Sequence, residues 1–358
     1  MKVDLNDVIL KIVSRLTARL FVGFPLCRND EWLSINTLIV EDIFRTVVIM
    51  RLFPPILHPL VSKCLPSLRR LRRCMRRIHA LLIPVLLERK RLEAEQGDSY
   101  ERPDDVIQWM MDLADEKEAE LDNLATRYVY TIIGSMHTVT SAIKDTLYDI
   151  CARPEYVKPL REELEQVLKE DHGWKKSTAA KMQKTDSFMK EVQRLNPPSA
   201  RKQYTIHDVS VHHEANFVIP SVGFKRVVKE PITLSDGLQL PKGTYICVVT
   251  TSHLQDDIAP PGPNNFDGFR YHKKAMEAGF GRYQYSSTDG DHIHFGHGRY
   301  ACPGRFAASV EIKIILARIL LHYDMKFPKG QGRPKNMAVL ELSFQDPAGR
   351  IMFKQRSG

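Results

Sequence analysis

Phe295-Gly-His-Gly-Arg-Tyr-Ala-Cys302-Pro-Gly-Arg-Phe306 is the most informative stretch of this chain. Gly298 and Gly304 free the backbone for tight turns and for close approach by a flat ligand. Pro303 suits the first position of a helix, and the residues beyond it predict one over Pro303–Tyr323. Cys302 is thereby placed at a helix N-terminus, where the dipole and unpaired N–H groups favour an anion. A lone cysteine is usually a small buried hydrophobe. One set between glycines at a helix start is poised to bind a metal or to act as a nucleophile.

Upstream, the sequence reads as helices. Mixed three- and four-residue apolar spacings predict them over Val3–Phe24 and Leu33–Phe53, and a third follows Pro54-Pro55 at Leu68–Glu95. Asp104-Asp105 offers a cap for a helix running through Met111 and Leu113. Leu121, Leu124, Tyr128, Ile132, Met136, Val139, Ile143, Leu147 and Ile150 step by three or four throughout, which predicts one face buried along about eight turns. Inside that helix, Gly134-Ser135-Met136-His137-Thr138-Val139-Thr140 puts small and hydroxyl residues where they cost stability. Gly134 and Thr138 form a notch off the apolar stripe; alone, such a notch is more often a helix-packing contact than a site. Further helices are predicted over Glu155–Lys169 and Ser187–Asn196, the latter ended by Pro197-Pro198. From Gly223, short apolar runs punctuated by Asp236-Gly237 and Pro241-Lys242-Gly243 predict strands and hairpins. Asn264–Gly290 reads as loop, and the tail after Tyr323 as β-like. The fold class is mainly α with a small β region near the C-terminus.

Composition is that of an ordinary globular chain: 358 residues, 43% hydrophobic and 27% charged. Disordered, collagen-like and disulfide-scaffold classes are excluded, since the six cysteines stand at no paired spacing. A net charge of +9 favours acidic partners. The start lacks the basic-then-apolar order of a signal peptide, and no apolar run approaches the ~20 residues of a membrane helix. Arg69, Arg70, Arg72, Arg73, Arg76 and Arg77 form a run with three accounts: a solvated helix face, a surface resting on anionic lipid, and nucleic-acid binding. The third is set aside because no aromatic residues interleave the charges.

The Cys302 stretch resembles the haem-binding loop of the cytochrome P450 family, Phe-x-x-Gly-x-Arg-x-Cys-x-Gly, with Phe295, Gly298, Cys302 and Gly304 in register. Tyr300 stands at the arginine position, one step after Arg299; the resemblance makes that position a haem propionate contact. Glu191-Val-Gln-Arg194 is similar to the family's Glu-x-x-Arg pair, whose i,i+3 spacing puts both groups on one helix face. Phe266-Asp-Gly-Phe-Arg270 resembles the loop that completes a buried structural triad, so Glu191, Arg194 and Arg270 become its members. The notch at Gly134–Thr140 corresponds to the oxygen-activation helix, with Thr138 as its alcohol and His137 where an acid usually stands. Arg226 falls at another propionate position.

The resemblance implies a partial cytochrome P450 fold covering residues 1–358, without the membrane anchor and first helices of a full-length member. It implies an enzyme, a haem-thiolate monooxygenase that inserts one oxygen atom of O2 into an apolar substrate. Cys302 is the axial ligand of haem iron, and Phe295, Gly298, Arg299, Tyr300, Gly304 and Arg226 bind the haem. NADPH electrons come through a separate reductase. The motifs resemble those of filamentous-fungal secondary-metabolite members, which points to terpenoid-type biosynthesis. A full-length member is expected at the cytosolic face of the endoplasmic reticulum membrane. No nucleic-acid partner is expected. Two rivals stand beside this: a truncated remnant that does not retain haem, and zinc binding by His292, His294, His297 and Cys302. Zinc is opposed by the alternation in His292-Ile-His294, which suits a strand, and by the lack of a second nearby cysteine.

Residues 201–221 separate Pro197-Pro198 from Gly223-Phe224-Lys-Arg226, which lie closer together in the family. They are either a surface-loop insertion or a translated intron. Arg201-Lys202 is encodable as CGT-AAG, which contains a fungal intron start; Ala215-Asn216 accommodates a branch point, and Ser221-Val222 a terminal AG. Excision from the second base of codon 201 to the first base of codon 222 keeps the frame and leaves Ser199-Ala200-Leu-Gly223.

Overall fold

The computed structural model of the chain describes residues 1–197, 202–203, 218–219, 222–249, 265–290, 292–339 and 342–356. These divide into a helical unit, Asp7–Thr140, and a mixed unit formed by Met1–Asn6 with Ser141–Gly358.

The helical unit takes up α1 (Leu5–Phe21), α2 (Asp30–Met50), α3 (His58–Cys64), α4 (Pro66–Gln96), α5 (Val106–Leu113) and the first part of α6 (Leu121–Ala152). α2 starts where the Asn29 side chain accepts the Trp32 N–H at 2.9 Å, and α5 where Asp105 accepts that of Gln108 at 3.0 Å. Trp32, Ile39, Ile78, Leu82, Leu86, Leu124 and Tyr128 fill one core. Within it, Asn36 donates to the Tyr128 hydroxyl at 2.9 Å, so the buried phenol is satisfied. Eight of the nine apolar positions named on α6 are buried, Leu121 alone being half-buried. Arg89 is buried with Asp105 and also donates to the Val22 carbonyl at 3.1 Å.

The mixed unit holds α7 (Val157–Glu170), α8 (Thr178–Lys181), α9 (Gln183–Leu195), α10 (Arg270–Ala278) and α11 (Arg305–His322). Its core gathers Ile150, Leu160, Leu164, Met182, Phe188, Val192, Ala317 and Leu320. Here β1 (Lys2–Asp4) pairs antiparallel with β11 (Arg350–Gln355), which pairs on its other side with β8 (Tyr323–Lys326). Two-stranded pairs join β2 (Lys202–Gln203) to β3 (Val218–Ile219), β4 (Val222–Val227) to β7 (Tyr245–Val249), β5 (Ile232–Thr233) to β6 (Gln239–Leu240), and β9 (Met337–Val339) to β10 (Leu342–Phe344).

Four expectations need correction. The stretch Asn264–Gly290, read as loop, contains α10; of Arg270–Ala278 only Arg270 and Ala275 are buried, too few for an apolar period to show. The first helix starts at Leu5, because Lys2–Asp4 is drawn into the sheet by β11. The last begins at Arg305 with Gly304 as its cap, so Pro303 lies before the helix, and Tyr323 already belongs to β8. His292-Ile-His294 is no strand: it runs into a turn closed by Gly296 N–H to Ile293 O at 2.8 Å. The segment 201–221 lies outside the described residues except for β2 and β3.

Candidate functional site

Cys302 is an exposed free cysteine, two residues before the Gly304 cap of α11. Its loop is held by backbone hydrogen bonds: Cys302 N–H donates to Phe295 O at 2.7 Å, and Ala301 N–H to Gly298 O at 3.0 Å. The Arg305 guanidinium donates to the Cys302 carbonyl at 2.8 Å, tying the loop to the first turn of the helix. Arg305 was not among the sequence candidates, since its role depends on a backbone acceptor. Gly298 adopts φ +66°, a conformation glycine takes without strain, and no atom lies within 4 Å of where its β-carbon would stand. The same open space adjoins Gly304. Along α11, Phe306, Val310 and Ile314 succeed one another every fourth residue and are all exposed, an apolar stripe starting one turn beyond Cys302. Phe295 is half-buried and edge-on to Tyr285, with ring centroids 5.3 Å apart.

Polar groups gather at the rim of this loop. The Arg226 guanidinium lies 5.2 Å from the ring centroid of Tyr300, and Tyr300 is 72% exposed. The register shift between Gly223 and Arg226 in the β4–β7 pair is the kind of irregularity that re-aims a strand side chain. Arg299 and His297 are exposed on the same turn. A soft sulfur donor, glycine backbone open to approach, an apolar stripe and a cationic rim fit a flat, largely apolar macrocycle with anionic groups on one edge. Among the described residues, no group of three or more His, Cys, Asp or Glu side chains is placed to hold a metal ion.

Glu191, Arg194 and Arg270 come together in the interior. Arg194 donates to Glu191 from Nε at 2.8 Å and from a terminal nitrogen at 2.7 Å, and Arg270 Nε bridges both carboxylate oxygens at 3.2 and 3.3 Å. Exposure is 0% for Glu191, 1% for Arg194 and 8% for Arg270. Both guanidiniums also donate to the Asn265 carbonyl, at 3.3 and 2.9 Å, and Asp267 N–H donates to Glu191 at 2.9 Å. These two backbone partners carry no side-chain signature and were not foreseen. Burial opposes the charge on Arg194, but hydrogen bonds to Glu191 hold its pKa above the ordinary value. At the neighbouring Lys190, burial wins and pulls the ammonium down to about 8. The loop leaves no room for a side chain at Gly268: a β-carbon there would stand 2.6 Å from Phe188 and 2.7 Å from Tyr156.

In the helical unit, Thr138 is exposed on α6, and its hydroxyl donates to Gly134 O at 2.7 Å and lies 3.2 Å from Ser135 O. Nothing lies within 4 Å of a β-carbon built on Gly134, so the notch is open. His137 is about 100° round the helix from Thr138. Its ring meets Phe44 edge-on at 6.0 Å.

Comparison with known proteins bears on what this arrangement is. The cytochrome P450 family model matches residues 1–222 and 216–353. The chain is 42% identical over 357 residues to the cytochrome P450 monooxygenase AN1598 of Emericella nidulans, covering 99% of this chain and 62% of that protein. It is 36% identical over 360 residues to an ent-kaurene oxidase of Gibberella intermedia, covering 99% and 63%. With the monooxygenase paxP of Penicillium paxilli it shares 40% over 358 residues, covering 98% and 64%. The chain thus spans a little under two thirds of the length of these relatives. Among solved structures, the retinoic acid-bound cyanobacterial CYP120A1 superposes with a TM-score of 0.71 at 17% identity, over 99% of this chain and 70% of that one, a likeness of fold. With residues 1–353 of the chain matched by the family model and a cysteine loop of the family's spacing, the chain belongs to the cytochrome P450 family.

Proposed function

We propose that this chain is the haem-binding part of a haem-thiolate monooxygenase that inserts one oxygen atom of O2 into a C–H bond of an apolar substrate. The observation that carries this is Cys302: an exposed thiol, fixed by its backbone and by Arg305, beside open glycine backbone and the Phe306, Val310, Ile314 stripe. Haem, when bound, supplies the iron at which dioxygen is activated. Cys302 Sγ would hold that iron as a thiolate and lend it electron density. Arg226 and Tyr300, with Arg299, would bind the anionic groups of the haem, and Phe295, Gly298 and Gly304 would shape the loop that receives it. Thr138 Oγ1 would hold and hand on protons in a notch open to solvent, with His137, the residue before it on α6, assisting. NADPH electrons arrive through a separate flavoprotein reductase, whose acidic surface suits a chain of net charge +9. Relatives named ent-kaurene oxidase favour a terpenoid-type substrate in fungal secondary metabolism; the place we propose for the full-length protein is the cytosolic face of the endoplasmic reticulum membrane. The test is the spectrum of the reduced, carbon monoxide-treated protein. A red-shifted Soret band identifies thiolate-bound haem; a folded chain that takes up no haem is the remnant.

Thr138→Ala is expected to keep haem bound and to divert reducing equivalents into peroxide. Product formation should fall roughly 10²-fold, the low end of what one proton-transfer group contributes. Product per NADPH unchanged from wild type would leave Thr138 a packing residue.

For residues 201–221 we propose a retained intron. The family model matches in two pieces, 1–222 and 216–353, which overlap at the end of this segment. On this view His207, His212 and His213 have no function. Deletion of 201–221 with Val222→Leu should raise the thermal midpoint by roughly 2 °C, given that loop length costs little. Transcripts that all retain the segment, or a deletion that unfolds the protein, would remove the proposal.

A further inference from the structure

Glu191 and Arg194 share one face of α9. About 100° round the helix stands a second set of polar side chains, Asp186, Lys190 and Gln193, spaced four and three residues apart and so on one face. All three reach the segment that leads into the cysteine loop. Asp186 accepts the Tyr285 N–H and is paired with Lys313 of α11. Lys190 donates to the Gln284 carbonyl at 3.1 Å and stands 5.1 Å from the ring centroid of Tyr271. Gln193 differs from these two in meeting two side chains at once. Its Nε2 donates to the Tyr285 hydroxyl at 3.5 Å, and its Oε1 lies 3.1 Å from His292 Nε2. An amide oxygen only accepts, so the imidazole is the donor there.

Both partners of Gln193 bear on Phe295. Tyr285 is buried and turns its ring edge-on to that of Phe295. His292 is buried three residues before Phe295, with its ring centroid 4.4 Å from that of His294 and 6.0 Å from that of Tyr271. The Phe295 carbonyl in turn accepts the Cys302 N–H. A continuous path of contacts therefore runs from the Gln193 amide to the backbone of Cys302. An apolar side chain of the same length would fill the space equally well. What the amide adds is direction, since a polar network with its partners satisfied selects one arrangement of the groups that it joins.

We infer that Gln193 is a positioning residue for Cys302: its amide clamps Tyr285 and His292 and, through Phe295, fixes the backbone from which the thiol projects. The purpose of that placement rests on the proposed reading of Cys302 as the haem ligand, whereas the clamp is a property of the chain itself. It is also separate from the Glu191–Arg194–Arg270 triad, which holds the Asn265–Arg270 loop on the neighbouring face of the same helix.

The experiment is hydrogen exchange of the full chain resolved at single amides and read at Cys302, whose N–H reports the bond to Phe295 O. Gln193→Met keeps the length of the side chain and removes both polar atoms. Exchange at Cys302 is expected to rise roughly tenfold, the effect of two ordinary hydrogen bonds on a local opening. Gln193→Glu should restore the wild-type rate, because a carboxylate accepts from His292 and from the Tyr285 hydroxyl, which burial keeps protonated. Tyr285→Phe leaves the ring against Phe295 and loses one contact; a rise of roughly threefold is expected, and this variant carries the test if Gln193→Met does not fold. Val192→Ala is the control, a core truncation one residue away that lowers the stability of the unit and should leave Cys302 at the wild-type rate. After haem is added, Gln193→Met should show a weakened red-shifted carbon monoxide band that Gln193→Glu restores. Wild-type exchange at Cys302 in the folded variants, an equal rise in Val192→Ala, or no rescue by Gln193→Glu would each overturn the inference. The expected exchange rates in a chain that forms no red-shifted band would support the clamp and overturn the haem reading alone.

Discussion

Cys302→Ser is expected to abolish both the red-shifted carbon monoxide spectrum and all turnover, while the chain remains folded. Cys302 is exposed and its side chain fills no core position, so the exchange of sulfur for oxygen costs the fold little. Its backbone N–H bond to Phe295 O and the Arg305 bond to its carbonyl survive, because neither involves the side chain. What disappears is the soft anionic donor. A serine hydroxyl stays protonated at neutral pH and is a poor match for the softer metal preference of a thiolate site. The remaining free cysteines described are Cys27, Cys64, Cys74 and Cys151, none of them in the Phe295–Phe306 loop. Retention of the thiolate spectrum in the variant would refute the ligand assignment.

Glu191→Gln should have the largest effect on stability. The carboxylate is fully buried and accepts from two guanidiniums and the Asp267 N–H. Glutamine retains the shape but removes the negative charge that Arg194 and Arg270 share in the interior. Breaking a buried pair by removing one charge costs about 3–5 kcal/mol, because the partner charge stays behind without compensation. The exposed pair Lys158–Glu162 provides the contrast: its nitrogen–oxygen distance is 3.8 Å, its side chains are 86% and 59% exposed, and its loss should cost under ~1 kcal/mol. Chemical denaturation of the two variants side by side measures the difference. A loss at Glu191 no larger than at Lys158 would mean that the triad does not hold this region together.

Much of this architecture was legible in the sequence, and unevenly so. α6 could be read because its burial repeats every three or four residues over 32 residues, which local spacing alone reports. The cysteine loop could be read because glycine and proline constrain backbone conformation locally. Glu191 and Arg194 were visible as an i,i+3 pair, but their burial was not, since it depends on the Phe266–Arg270 loop closing over them from 75 residues downstream in sequence. α10 was hidden for a related reason: a helix with two buried positions leaves no period to detect. β1 was taken for helix because three residues of strand carry almost no local signal and are recruited by β11 from the opposite end of the chain. What escaped was decided by partners distant in sequence, by backbone groups, or, in α10, by too few buried positions to show a period.

The short pair β2–β3 has a consequence for how this gene can change. Lys202 lies opposite Ile219 and Gln203 opposite Val218, so the chain departs and returns at neighbouring points, with α-carbons about 5 Å apart. Between such points the length of intervening chain is close to neutral thermodynamically: each doubling costs only about 0.6 kcal/mol. If 201–221 is a retained intron, the product that keeps it is therefore expected to fold. The same tolerance makes the position between Gln203 and Val218 a port, where an epitope, a fluorescent reporter or a whole redox domain is insertable without disturbing the helices on either side.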